Sequence, residues 1–221
     1  MGKVPHVTLV PVPCLSFLPK YFHQGLPCAT VTCCVAEPVV DRLLHAQRVL
    51  RSLSSPRIRY NVMVWDAYRA PATQYRIFHD YARQLMRAKG LPAGPAEATA
   101  ARFVSRPDTV YPHGTGGAVD LTLLVNDEEA FMGTGFDAFE ECSASDWYER
   151  NPPRSERERT AAVNRGLLRS AMLQAEFVPY PDEWWHYEWG TARWSAGTGR
   201  AVVLDRTLSS PAAVVPHPAL L

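Results

Sequence analysis

Apolar and polar positions along this chain change period several times, and each change marks an element. After Pro38, apolar residues at 39, 40, 43, 44, 46, 49, 50 and 53 recur at helical spacing. The proline stands where its missing N–H costs nothing, so a helix is expected from Val39 to Arg51. Ile58 to Trp65 alternates and then turns fully apolar, the pattern of a strand entering a core. Polar groups follow abruptly in Asp66-Ala67-Tyr68-Arg69-Ala70, and Pro71 opens a second helix expected over residues 72–88. Gly90 to Pro95 reads as a linker, residues 96–103 as a short helix and Val119 to Val125 as a strand. Residues 126–158 mix turn formers and scattered charges with little period, which predicts a long functional loop. Helical spacing resumes from Thr160 to Leu173. Phe177 to Tyr180 and Trp185 to Trp189 then predict two strands joined by Pro181-Asp182-Glu183.

The two ends are less regular. Residues 4–14, with Pro5, Pro11 and Pro13, read as an extended edge segment, and residues 28–36 as a second short strand. Residues 207–221 hold no Asp, Glu, Lys or Arg and read as a loose tail. Helices that precede, separate and follow a few strands define an α+β class. The expectation is one domain over residues 1–206, a small mainly antiparallel sheet with flanking helices, followed by the 207–221 tail.

Composition narrows the function. An apolar fraction of 47% and a charged fraction of 20% are ordinary for a soluble globular chain. A net charge of +1 leaves no surplus of cations to neutralise phosphates, so nucleic acid is not an expected partner. Arg154, Arg157, Arg159 and Arg165 cluster, but Glu156 and Glu158 interleave, the mark of a self-neutralising helix face. No apolar run approaches the ~18 residues of a membrane span, and prolines interrupt the stretch after Lys3. A cytoplasmic protein without a membrane partner is expected. The five cysteines, Cys14, Cys28, Cys33, Cys34 and Cys142, are odd in number and form no Cys-x-x-Cys pair, which fits reduced thiols.

The chemistry concentrates in two stretches. His113 and Asp120 stand seven residues apart with Gly114, Gly116 and Gly117 between them, and Glu183-Trp184-Trp185-His186 lies near the far end. Two imidazoles and one carboxylate supply the three ligands of a catalytic zinc and leave a fourth position for water. The glycines let the backbone turn tightly after His113, so that the following strand returns Asp120 toward the same point. Glu183, three residues before His186, is placed to act as general base on water whose pKa the metal lowers from about 15.7 toward 7. Taken singly, His113 as a turn residue and Asp120 as a strand-end cap are sufficient readings. Their co-occurrence with Glu183 and His186 favours a metal site. The same ligand types also describe the facial triad of non-haem Fe(II) enzymes. Those usually place histidine and carboxylate close in sequence and need no glutamate beside the third ligand, so the pattern favours hydrolysis.

At this point the sequence resembles the D-alanyl-D-alanine dipeptidase family, within the wider zinc D,D-peptidase superfamily. The family pattern Ser-x-His-x-x-Gly-x-Ala-x-Asp is matched from His113 through Gly116 and Ala118 to Asp120. The second metal stretch is Glu183-Trp184-Trp185-His186. Asp66-Ala67-Tyr68-Arg69 and Met132-Gly133-Thr134-Gly135-Phe136-Asp137 match two further motifs in the same order. The resemblance implies one Zn2+ per chain on His113, Asp120 and His186, with Glu183 as catalytic base and acid. It implies that Arg69 stabilises the tetrahedral intermediate and that Asp137 holds the free amino group of a small dipeptide-like substrate. Gln74 and Tyr21 are expected to line the same pocket. Tyr111 stands where the family has serine, beside Pro112, and is expected to narrow or reshape the substrate site. The function expected is zinc-dependent hydrolysis of a D-Ala-D-Ala-type dipeptide. A same-fold hydrolase of a different small amide in specialised metabolism is the second reading.

Overall fold

A computed structural model describes residues 9–11 and 15–208; Cys14, most of the 4–14 segment and the tail beyond Leu208 lie outside them. Two short strands, β1 (Leu9–Pro11) and β2 (Ser16–Phe17), lead to α1 (Lys20–His23), β3 (Cys34–Ala36) and α2 (Glu37–Ser52). The middle of the chain holds β4 (Tyr60–Asp66), α3 (Pro71–Lys89), α4 (Ala93–Ala100), β5 (Ala118–Val125), β6 (Glu128–Glu129) and α5 (Trp147–Arg150). It closes with α6 (Glu156–Gln174), β7 (Val178–Tyr180), β8 (Glu183–Glu188) and α7 (Ala192–Thr198).

The α+β class and the mainly antiparallel sheet are as the sequence implies. Five strands run in the order β2-β4-β5-β8-β7, with β6 paired to β5. Only β2 on β4 is parallel within this sheet, and β1 pairs with β3 apart from it. The apolar face predicted for α2 is buried through Val39, Val40, Leu43, Ala46 and Leu50, against the sheet and α6. On the other side, α3 and α4 pack with Tyr21 into a second cluster, where the fully buried Ala96 and Ala100 let the two helices approach closely. Among the described residues no helix is long and apolar enough to cross a membrane.

The strand expected over 28–36 is confined to Cys34–Ala36, and three further elements start away from the sequence pattern for local reasons. Helix α6 starts at Glu156 rather than Thr160 because Ser155 caps it, accepting from Glu158 N while the Glu158 side chain returns to the cap backbone. Helix α4 begins at Ala93, with Pro95 tolerated inside the first turn. Strand β8 begins at Glu183, a residue the pattern assigned to the connecting turn.

The segment expected to be a long loop over 126–158 holds the two-residue β6, the short α5 and the start of α6; the rest of it is irregular, as expected, yet it is not loose. Arg165 of α6 is 6% exposed and donates to the carbonyl oxygens of Met132 (2.7 Å), Cys142 (2.9 Å) and Ala144 (3.3 Å). Thr134 Oγ1 receives the Trp184 indole N–H at 2.8 Å. Burial lowers the Arg165 pKa to about 10, still high enough to keep the guanidinium charged at neutral pH.

Candidate metal and substrate site

Three adjacent strands bring the polar residues into one row. Asp66 at the end of β4 is the register partner of Asp120 on β5, and Asp120 is the register partner of His186 on β8. Two irregularities make this row possible. Between Val64 and Asp66 the β4 register shifts, so that Trp65 is the extra residue and Asp66 faces Asp120. On β8 the pairing jumps from Pro179–Tyr187 to Tyr180–Glu183, and this bulge puts Glu183 and His186 beside one another although they are three residues apart. An unbroken strand would alternate their faces.

His113 enters from the single turn Pro112–Thr115 that precedes β5. Gly116 ends that turn at φ 73°, the left-handed region, and a Cβ there would meet Ala36 N at 2.8 Å. Gly114 is needed for a different reason, since a Cβ would fall 2.6 Å from the Tyr111 ring.

The candidate ligand atoms converge. His113 Nε2 lies 3.2 Å from His186 Nδ1 and 3.3 Å from Asp120 Oδ2, and His186 Nδ1 lies 3.0 Å from Asp120 Oδ1. Donors at about 2.0–2.1 Å around a tetrahedral ion stand about 3.3 Å apart, so the observed spacing fits zinc with little rearrangement. Both outer ring nitrogens are engaged: His113 Nδ1 lies 2.7 Å from the Ala67 carbonyl oxygen and His186 Nε2 lies 3.2 Å from Glu188 Oε1. These contacts aim the inner nitrogens at the centre. Burial opposes charge on His186, yet the hydrogen bonds to Asp120 and Glu188 outweigh it and raise its pKa to about 10. Burial also works against the Asp120 carboxylate, but the two histidines hold its pKa well below the usual range. The cluster is thus built around positive charge.

Glu183 is 6% exposed and its Oε2 lies 3.9 Å from His186 Nδ1. Burial pushes its carboxyl well above the usual range, Asp120 and Asp137 add to the effect, and His186 and Arg69 oppose it. A basic carboxyl of this kind suits proton transfer near neutral pH.

Arg69 is fixed from several sides. Its Nε donates to Asp66 Oδ2 (2.9 Å), its Nη1 to Gln74 Oε1 (2.9 Å) and its Nη2 to Asp120 Oδ2 (3.3 Å), with Tyr21 stacked 4.8 Å away. Gln74 is itself held by donation to the Ser105 carbonyl oxygen at 2.6 Å. Gln74 therefore borders the cavity as the support of Arg69. Tyr21 Oη donates to Asp137 at 3.0 Å, and Asp137 sits at φ 57°. Burial, then the nearby Asp120 charge, raise the Asp137 pKa to about 7, against the opposing pull of Arg69.

His113, Asp120, His186, Glu183, Arg69 and Asp137 line one cavity of about 160 Å³, walled further by Phe103, Phe139, Tyr180 and Arg193, with Asp66 behind Arg69. Tyr111 also borders it but is 1% exposed, and its hydroxyl donates to the Arg69 carbonyl oxygen at 3.0 Å. The phenol thus braces the backbone that carries Arg69 rather than reaching across the pocket.

Sequence reasoning gave no role to Asp66 or Glu188. Asp66 is three residues from Arg69 and bonds it directly, while Glu188 shares a strand face with His186 at i+2. That period-2 relation was readable once β8 was recognised as a strand.

A buried His–Asp–His set with a basic glutamate and a fixed arginine in one cleft defines a metal-dependent hydrolase. The profile of the Peptidase_M15 family, described as D-ala-D-ala dipeptidase, matches residues 29–206. The chain belongs to this family and is a metallopeptidase, with zinc as the family's metal. It is 29% identical to a D-alanyl-D-alanine dipeptidase of Synechocystis sp., over 71% of this chain and 69% of that one. It is 32% identical to a D-alanyl-D-alanine dipeptidase of Enterococcus faecium, over 58% of this chain and 61% of that one. The solved structure of VanYB in complex with D-alanine-D-alanine shares the fold, with a TM-score of 0.50, 16% identity, and coverage of 91% of this chain and 89% of that one.

Proposed function

We propose that this chain hydrolyses D-Ala-D-Ala-type dipeptides with zinc held by His113 Nε2, Asp120 and His186 Nδ1. The observation that carries the reading is the convergence of these ligand atoms within 4.8 Å of one another beside Glu183. A bound zinc ion supplies Lewis acidity to the scissile carbonyl and lowers the pKa of water toward about 7. Glu183 Oε2 takes the proton from the attacking water and returns it to the leaving amine. Arg69 Nη2, held in place by Asp66 and Gln74, donates to the oxyanion as charge develops. Asp137, backed by Tyr21, binds the substrate's ammonium group, which confines the enzyme to short substrates with a free amine.

A panel of L- and D-dipeptides, each with a chelator control, tests activity and stereochemistry together. Zinc-dependent cleavage of D,D-dipeptides is expected. Cleavage of other small amides alone would shift the reading to the second substrate class. Glu183→Ala is expected to lower turnover by about 10²–10⁴-fold with the zinc retained; turnover at the original rate would remove Glu183 from the role of base.

A further inference from the structure

We propose that Glu188 is a positioning residue for the metal centre, fixing the His186 ring so that Nδ1 and not Nε2 is presented to zinc. The inference rests on the metal site proposed above. A carboxylate only accepts hydrogen bonds, so the ring nitrogen facing Glu188 Oε1 at 3.2 Å must carry a proton. Only one ring nitrogen can give up its proton to a metal, and Nδ1, which converges with Asp120 Oδ1 and His113 Nε2, is the one that does so while Nε2–H stays on Glu188.

Glu188 is built to hold this orientation. It is 1% exposed, and Oε2 receives the Thr191 hydroxyl at 2.5 Å while Oε1 receives Arg193 Nε at 3.0 Å. Its backbone is clasped on both sides, by register pairs with Ala118 on β5 and Val178 on β7. His186 and Glu188 lie two apart on one strand and so point to the same face. His113 receives the matching constraint from the Ala67 carbonyl oxygen at 2.7 Å, so each imidazole has its own outer anchor.

The competing role is purely structural, because Thr191 also caps α7 by accepting from Trp194 N. Zinc affinity of the metal-free protein, measured by competition with a chromophoric chelator, separates the two. Metal-free thermal unfolding is followed in parallel. Glu188→Ala is expected to weaken zinc binding by about 10–100-fold. Glu188→Gln, whose amide oxygen still accepts from Nε2, is expected to recover much of that loss, and as an isosteric change it remains informative if the alanine variant does not fold. Thr191→Val is expected to lower the unfolding temperature with zinc affinity within about threefold of the unaltered protein, well short of the loss at Glu188. Unchanged affinity in both Glu188 variants overturns the proposal, as does an equal loss in Thr191→Val. Absence of zinc binding by the unaltered protein would instead overturn the metal-site reading itself.

Discussion

Arg165 Nε donates to the carbonyl oxygen of Met132 across 2.7 Å, which ties the middle of α6 to the segment that ends at Asp137. Arg165→Met leaves the Met132 and Cys142 carbonyls without a donor, while Ala144 keeps the Trp147 N–H. The expected cost is about 3 kcal/mol of stability, since orphaned buried acceptors cost about 1–3 kcal/mol each and part of the segment relaxes. Denaturant unfolding measures it. A rise in KM larger than any fall in kcat is expected with it, because the displaced residue is the one proposed to bind the substrate amine.

The Asp137 carboxyl titrates at about 7, so it is neutral below that pH and ionised above it. Only the ionised form holds an ammonium group. kcat/KM is therefore expected to rise with pH through this region and to fall again as the substrate amine deprotonates near 8. A bound dication favours the carboxylate and draws the lower limb to more acidic pH. Asp137→Asn, which tolerates the positive φ, is expected to remove that limb and raise KM. An unchanged pH profile in the variant would show that the limb belongs to another group.

Arg69→Lys keeps the charge but loses the fork that grips Asp66, Gln74 and Asp120 together. A fall in kcat of about 10²–10³ is expected, with zinc content unchanged. Steady-state kinetics beside metal analysis gives the answer.

Much of this site was legible in the chain. The candidate ligands His113 and Asp120 and the Glu183–His186 pair follow from residue type and spacing, Arg69 follows from the family resemblance, and the structure brings all five into one cleft. What sequence could not show is what holds them. The bulge at Trp65 and the longer one on β8 are departures from strand period, so no periodic pattern announces them. Arg165 reads from sequence as one of a cluster of surface arginines, yet it is buried, because its partners are backbone carbonyls more than twenty residues away. Glu183 reads as a turn residue for the same reason, its strand pairing being set by Tyr180.

Tyr111 illustrates how a substitution at a motif position can be absorbed. Tyr111→Phe removes only the bond to the Arg69 carbonyl oxygen and is expected to cost about 1 kcal/mol, with KM little changed. Tyr111→Ser also empties the space beside Gly114, and a loss of about 3–5 kcal/mol is expected. Thermal and denaturant unfolding of the two variants distinguishes a brace from a substrate contact.

Removing the metal is expected to lower the unfolding temperature, and adding zinc to restore it. Free zinc at one hundred times its dissociation constant contributes about 2.7 kcal/mol to the folded state. Calorimetry with and without chelator checks this.

The row Asp66, Asp120 and His186 crosses three neighbouring strands whose sequence positions span most of the chain. During synthesis, His113 and Asp120 emerge long before His186, and two ligands hold zinc far more weakly than three. On the proposed ligand set, full zinc affinity therefore requires β8 docked in its bulged register. A chain with β8 slipped by one residue would turn His186 to the wrong face and forgo the stability that bound zinc adds.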